Sequence, residues 1–206
     1  AYFAAPKGTP RGGLVVIQEA FGVTAYVRSV CDAYAKDGYA SIAPALYDRQ
    51  RRDAEFDDSS APEALAEARR LRAALEWSNV MLDVQAAIDE VRITGRVGIV
   101  GYCVGGSVAW LAALTLPVAA ASCYYGRDIV DFLERAPRCP TILHFGEHDH
   151  LIRLADVERI RAAFPDVPNY LYRAGHGFDG AGERHHEASA RLARERTLEL
   201  FRRHIG

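Results

Sequence analysis

No stretch of this 206-residue chain stays apolar for the roughly 20 residues that a membrane-spanning helix needs. The longest mainly apolar runs, residues 97–100 and 108–123, are interrupted or bounded by Gly, Pro, Tyr and Ser. An excess of positive charge is also missing. Twenty-five Lys and Arg stand against 27 Asp and Glu, a formal charge of −2, so no general field draws nucleic acid or acidic lipid to the chain. There is no C-x-x-C pair. The four cysteines, Cys31, Cys103, Cys123 and Cys139, are widely spaced, which points to a thiol-reducing cytoplasm rather than a disulfide-built secreted domain. Lysine is nearly absent: Lys7 and Lys36 are the only two, and arginine carries the remaining positive charge. Residues 1–5 lack the charge pattern and length of a signal peptide. The first residue is Ala1 rather than Met, and the expectation is a natural chain extending before it. Internal repeats, low-complexity tracts and interdomain linkers are absent as well.

Half of the residues are apolar and a quarter charged, the composition of one soluble globular domain with a substantial core. Residues 13–18 (GLVVIQ) form a β-branched run bounded by turn residues, the pattern of a buried strand. Helical spacing follows over residues 26–37, with Gly38 in the place of a C-terminal cap. Strands are predicted at 39–43, 96–101, 118–124, 141–145 and 169–172. Helices are predicted at 62–75, 79–91, 104–116, 129–135, 155–164 and 188–204, with Ser60 as a cap before Pro62. The charge-dense residues 49–60 read as an exposed loop. Strands alternating with helices predict an α/β fold, a mostly parallel central sheet with helices on both faces, because parallel neighbours need crossover connections.

In such sheets the chemistry gathers at the carboxyl ends of the strands. Gly101-Tyr102-Cys103-Val104-Gly105 lies between a strand and a helix and has the form of a nucleophile elbow carrying cysteine. Small flanking residues allow the sharp turn, and the helix beginning at Val104 places its positive end near the sulfur, favouring thiolate. A thiolate nucleophile needs a proton shuttle and a group that orients the shuttle. Asp149 and His176 each follow a strand, in the order nucleophile, acid, histidine expected of an α/β-hydrolase scaffold.

With these residues in place, the chain resembles the dienelactone hydrolase family, the cysteine-dependent branch of the α/β-hydrolase fold. The likeness runs from about Gly13 to Phe201. Six blocks carry it: QEAFGV from Gln18, PALYDR from Pro44, GYCVGG from Gly101, YYG from Tyr124, GEHDH from Gly146 and HGF from His176. The resemblance implies that Cys103 attacks a substrate carbonyl, His176 manages the proton and Asp149 orients His176. It further implies Glu19 as a fourth catalytic participant beside the resting cysteine, and an oxyanion hole made by the backbone N–H groups of Ala20 and Val104. Arg49 and Tyr125 would contact substrate. Family members usually begin with a strand or hairpin ahead of the Gly13 strand, so a leading strand is expected to be missing.

The family's second substrate-gripping arginine, a few residues beyond the catalytic histidine, has no counterpart here. The chain reads His176-Gly177-Phe178-Asp179-Gly180, leaving Arg51, Arg52, Arg127 and Arg184 as candidates to fold over the site. His144, His148, Asp149 and His150 match no zinc-ligand spacing, so no metal and no cofactor are expected. His185 and His186 read as exposed. The expected activity is hydrolysis of a lactone or small ester, with a small-molecule substrate and neither nucleic acid nor membrane as partner. Two other readings stay open: a cysteine amidotransferase-like enzyme, and a non-catalytic α/β binding module. Nothing in the sequence speaks to oligomeric state.

Overall fold

The computed structural model describes residues 1–56 and 62–206. The Ser60 cap predicted from sequence lies outside these residues. Seven strands are present: Tyr2–Ala4 (β1), Gly12–Ile17 (β2), Tyr39–Ala43 (β3), Val97–Tyr102 (β4), Ala120–Tyr124 (β5), Thr141–Gly146 (β6) and Asn169–Tyr172 (β7). They form one sheet in the order β1-β3-β2-β4-β5-β6-β7. β1 runs antiparallel to β3, and every other neighbouring pair is parallel. The α-helices among the described residues are Ala25–Lys36 (α1), Pro62–Ala73 (α2), Trp77–Val91 (α3), Val104–Thr115 (α4), Leu154–Ala163 (α5) and Glu187–His204 (α6).

Adjacent residues of one strand show how the helices are divided. A Cβ on Gly12 would collide with Ile205 beside the end of α6, whereas a Cβ on Gly13 would lie 2.7 Å from Val91 of α3. Successive strand residues face opposite sides of a sheet, so α6 and α3 cover opposite faces. α1 shares the α6 face: Tyr34 of α1 meets Phe201 of α6 edge-on at 6.0 Å, and Arg194 pairs with Asp37 at 2.7 Å. α1 is amphipathic, burying Val27, Cys31, Tyr34 and Ala35, and its first turn is capped by the Thr24 hydroxyl, which accepts from the Val27 N–H. α4 has no polar face. Every residue from Val104 to Leu114 is buried, as expected of a helix enclosed within the fold.

Two local predictions are corrected. A strand precedes the Gly13 run, because Tyr2–Ala4 pairs with β3. Three edge residues, with Phe3 exposed, are too short to show an alternation. The helix predicted at 129–135 is instead a short 3₁₀ segment, Arg127–Asp131. Its closing bond runs from the Phe132 N–H to the Ile129 carbonyl, the tighter geometry that rarely propagates beyond a turn.

Candidate active site

Five strands deliver their C-terminal residues to one edge of the sheet. Gln18 to Ala20 follow β2, Cys103 follows β4, Tyr125 follows β5, Asp149 follows β6 and His176 follows β7. Cys103 occupies the turn into α4 with φ 56° and ψ −118°, a region that costs a non-glycine residue energy unless its surroundings enforce it. The enforcement comes from close backbone approach. A Cβ on Gly101 would overlap the Gly105 carbonyl, and one on Gly105 would stand 2.6 Å from the carbonyl oxygens of Ile17 and Gln18. Glycine at both positions therefore lets α4 start hard against the ends of β2 and β4.

The side chains expected to act together do meet. His176 Nε2 lies 3.2 Å from Cys103 Sγ, and His176 Nδ1 lies 2.8 Å from Asp149 Oδ2. Asp149 Oδ1 accepts from the backbone N–H groups of Leu151 and Ile152 at 2.8 and 3.1 Å, so the carboxylate cannot swing away. The Asp149 side chain is 0% exposed and that of His176 5%. Burial pushes the His176 imidazolium down, yet its hydrogen bonds and charge interactions with Asp149 and Cys103 outweigh burial and raise it to about 10. At neutral pH a proton on this ring is therefore strongly held. The loop carrying His176 is tied to α1 by the Tyr26 hydroxyl, which donates to Asp179 at 2.7 Å.

A cavity of about 460 Å³ opens over this group, lined by Cys103, His176, Ala20 and Val104 among others. Glu19 is buried at the wall beside it, its carboxylate 3.7 Å from Arg184. Two substrate contacts expected from the resemblance are placed elsewhere. Arg49 turns to α3, where its guanidinium grips Asp83 at 2.6 to 3.1 Å, and it does not line the cavity. A fixed carboxylate within reach of a planar donor fork captures it. Tyr125 is fully buried behind the histidine, its ring 5.1 Å from His176 and 5.3 Å from Phe178. The turn after β5, with Tyr125 at φ 38°, directs the ring beneath the site.

Arginine reaches the cavity by other routes. Arg184 and Arg127, both weighed from sequence, line it. Arg184 lies where a side chain at Gly180 would stand: a Cβ there would be 3.4 Å from Nη2, and one on Gly177 2.7 Å from Nη1. Arg51 instead pairs with Glu67. Sequence reasoning missed Arg69 and Arg72, which line the cavity with Leu65. Their spacing of i, i+4 and i+7 on α2 marks one helix face, the signal that could have found them. Arg72 and Arg127 both reach Asp128, at 2.8 and 3.3 Å.

His144 stands apart from this chemistry. It is fully buried, its Nδ1 2.8 Å from the Tyr172 hydroxyl and its Nε2 3.2 Å from both Ser122 Oγ and Thr197 Oγ1. Among the described residues no three His, Cys, Asp or Glu side chains gather as a metal-binding group, and no helix is long and apolar enough to cross a membrane.

A mostly parallel sheet with a strained elbow residue, a histidine and a carboxylate at its carboxyl edge defines the α/β-hydrolase class of fold. The particular family follows from comparison: the sequence profile of the dienelactone hydrolase family matches residues 1–205, and the chain belongs to that family. It is 32% identical over 212 residues to carboxymethylenebutenolidase of Pseudomonas putida, covering 98% of this chain and 89% of that protein. Carboxymethylenebutenolidase of Pseudomonas sp. (strain P51) is 31% identical over 209 residues, covering 94% and 85%. A solved structure from Klebsiella pneumoniae, assigned as a dienelactone hydrolase, superimposes with a TM-score of 0.82 at 28% identity, covering 98% of this chain and 92% of that one. The chain is thus a hydrolase of lactones or carboxylic esters.

Proposed function

We propose that the protein hydrolyses a lactone or a small carboxylate-bearing ester through a covalent acyl-thioester on Cys103. The observation that carries this reading is the continuous relay from Cys103 Sγ to His176 at 3.2 Å and from His176 to Asp149 at 2.8 Å. A histidine raised to about 10 holds its proton at neutral pH, and a protonated ring favours the thiolate form through which sulfur attacks. Sulfur bonds to the carbonyl carbon and the carbonyl oxygen becomes an oxyanion, facing the N–H groups of Val104 and Ala20. On collapse the C–O bond to the alcohol breaks, and His176 gives its proton to the departing oxygen. Water then attacks the thioester with His176 taking its proton, which releases the acid and restores the pair. Asp149 holds the ring's tautomer throughout. Glu19, whose carboxylate lies 3.7 Å from Arg184, responds when an anionic substrate competes for that guanidinium.

The substrate's carboxylate is assigned to the arginines of the cavity rather than to Arg49. Arg69, Arg72, Arg127 and Arg184 line it; Arg72 and Arg127 meet Asp128, and Arg184 meets Glu19. A reduced thiol is required, which fits a cytoplasmic protein, and all four cysteines are free.

Aryl esters and dienelactones assayed with the wild type and with Cys103→Ala test the reading. Turnover is expected to fall by roughly 1,000-fold or more without the nucleophile, and an acyl adduct on Cys103 should appear by mass spectrometry after rapid quenching. Full activity in the alanine variant would overturn it. Ammonia release from glutamine without ester turnover would move the protein to an amidotransferase-like class. An unreactive thiol with no turnover would make it a binding module.

A further inference from the structure

Two cavities meet at one wall. Besides the cavity over Cys103, a second of about 300 Å³ lies on the far side of Phe21 and Arg184, which line both. The two side chains face each other at cation–π distance, with the Arg184 guanidinium carbon 5.8 Å from the Phe21 ring centre. The chain threads this partition in three successive residues. Glu19 lines the second cavity, Ala20 the first and Phe21 both.

The two spaces differ in chemistry. Around Cys103 the wall carries Arg69, Arg72 and Arg127. The second cavity is walled by Phe21, Tyr26, Phe56 and Ala181 together with Glu19, Glu55 and the shared Arg184. Its carboxylates already face cations: Glu55 meets Arg28 at 2.8 Å and Glu19 meets Arg184 at 3.7 Å. A second anion would meet two carboxylates whose cations are already engaged, whereas a flat apolar group would meet three aromatic rings, Phe21, Tyr26 and Phe56. The volume suffices, since cavities of roughly 150 Å³ accommodate a benzene ring.

We propose that this second cavity is a subsite for an aromatic group on the alcohol side of the ester. The inference rests on the ester-hydrolase reading above. The two arms of an ester leave the carbonyl carbon in different directions. With the anionic acyl arm drawn to Arg69, Arg72 and Arg127, an alcohol arm directed at the shared wall of Phe21 and Arg184 would meet the second cavity. The substrate class is therefore an anionic acyl group esterified to a benzyl-like alcohol. Cys103 sulfur bonds to the carbonyl carbon, the C–O bond to the alcohol breaks, and the alcohol takes the His176 proton and departs through the second cavity.

Monomethyl and monobenzyl fumarate probe this directly, because they share the acyl arm and differ only in the alcohol. The wild type should favour the benzyl ester in kcat/KM by at least about tenfold, the scale on which an apolar pocket discriminates. Ala181→Trp, at an exposed position, fills the cavity without disturbing the core and should bring the two esters within about threefold. Equal kcat/KM values in the wild type, or a benzyl preference that survives Ala181→Trp, would overturn the subsite. Calorimetric binding of the same two esters to Cys103→Ala separates this from the catalytic reading. If the wild type turns over neither ester, tighter binding of the benzyl ester still supports the subsite while the hydrolase reading falls. Equal binding of both esters would overturn the subsite.

Discussion

Replacing Asp149 with asparagine is expected to leave the site's shape intact and reverse its proton. Asp149 Oδ1 accepts from the Leu151 and Ile152 N–H groups, while Oδ2 faces His176 Nδ1. Asparagine must keep its oxygen toward those two donors, so its amide NH₂ turns to His176. Nδ1 then has to accept, which places the remaining ring proton on Nε2, toward sulfur. Loss of the charged hydrogen bond alone is worth about 1.5–3 kcal/mol, roughly 10- to 150-fold at 1.4 kcal/mol per decade. The wrong tautomer adds to this, and the total reaches about 10,000-fold in kcat where a triad aspartate becomes asparagine. The assay is steady-state ester hydrolysis, paired with iodoacetamide alkylation of Cys103 against pH. His176 is raised to about 10 partly by Asp149, so in the variant the ring releases its proton at lower pH and supports a neighbouring thiolate less. Alkylation near pH 7 should slow about tenfold while the thermal melting point shows the fold retained. A variant with kcat within tenfold of the wild type would refute the reasoning.

Two further outcomes follow from particular side chains. Arg69→Gln, at an exposed position lining the cavity, should raise KM for a carboxylate-bearing ester roughly five- to tenfold and leave an uncharged ester unaffected; equal effects on both esters would remove Arg69 from substrate recognition. His144 is lowered to about 3 by burial, with Arg196 adding to it. The unfolded chain takes up this proton near pH 6.5 and the folded one refuses it. The stability it contributes is thus present above pH 6.5 and lost as pH falls toward 3, up to roughly 5 kcal/mol. Urea unfolding of the wild type and His144→Gln at pH 7 and 4.5 should show the variant losing about 3 kcal/mol less over that interval. The same pH dependence in both proteins would dismiss His144 as its source.

Much of the fold was legible because it is encoded in short-range pattern. The β-branched runs of β2 and β4, the glycine after α1 and the helical spacing of α1 and α6 each specify an element within a dozen residues. β1 escaped because its strand character comes from pairing with β3 rather than from its own alternation. The segment after β5 kept a helical sequence pattern, yet only the short Arg127–Asp131 segment closed.

The same division runs through the site. The sequence by itself determined the α/β architecture, the elbow at Cys103 and the order of Cys103, Asp149 and His176, because an elbow needs glycine at fixed neighbours and strand ends fix where such residues emerge. The tertiary structure alone decided which arginines line the cavity over Cys103. It sent Arg49 to Asp83 and folded Arg184 back over Gly180. It turned Tyr125 beneath the histidine and set Arg69 and Arg72 of α2 in the wall of the cavity that Cys103 lines. Long, flexible cationic side chains pair with whatever carboxylate or opening the distant elements bring within reach, and no local spacing records that distance.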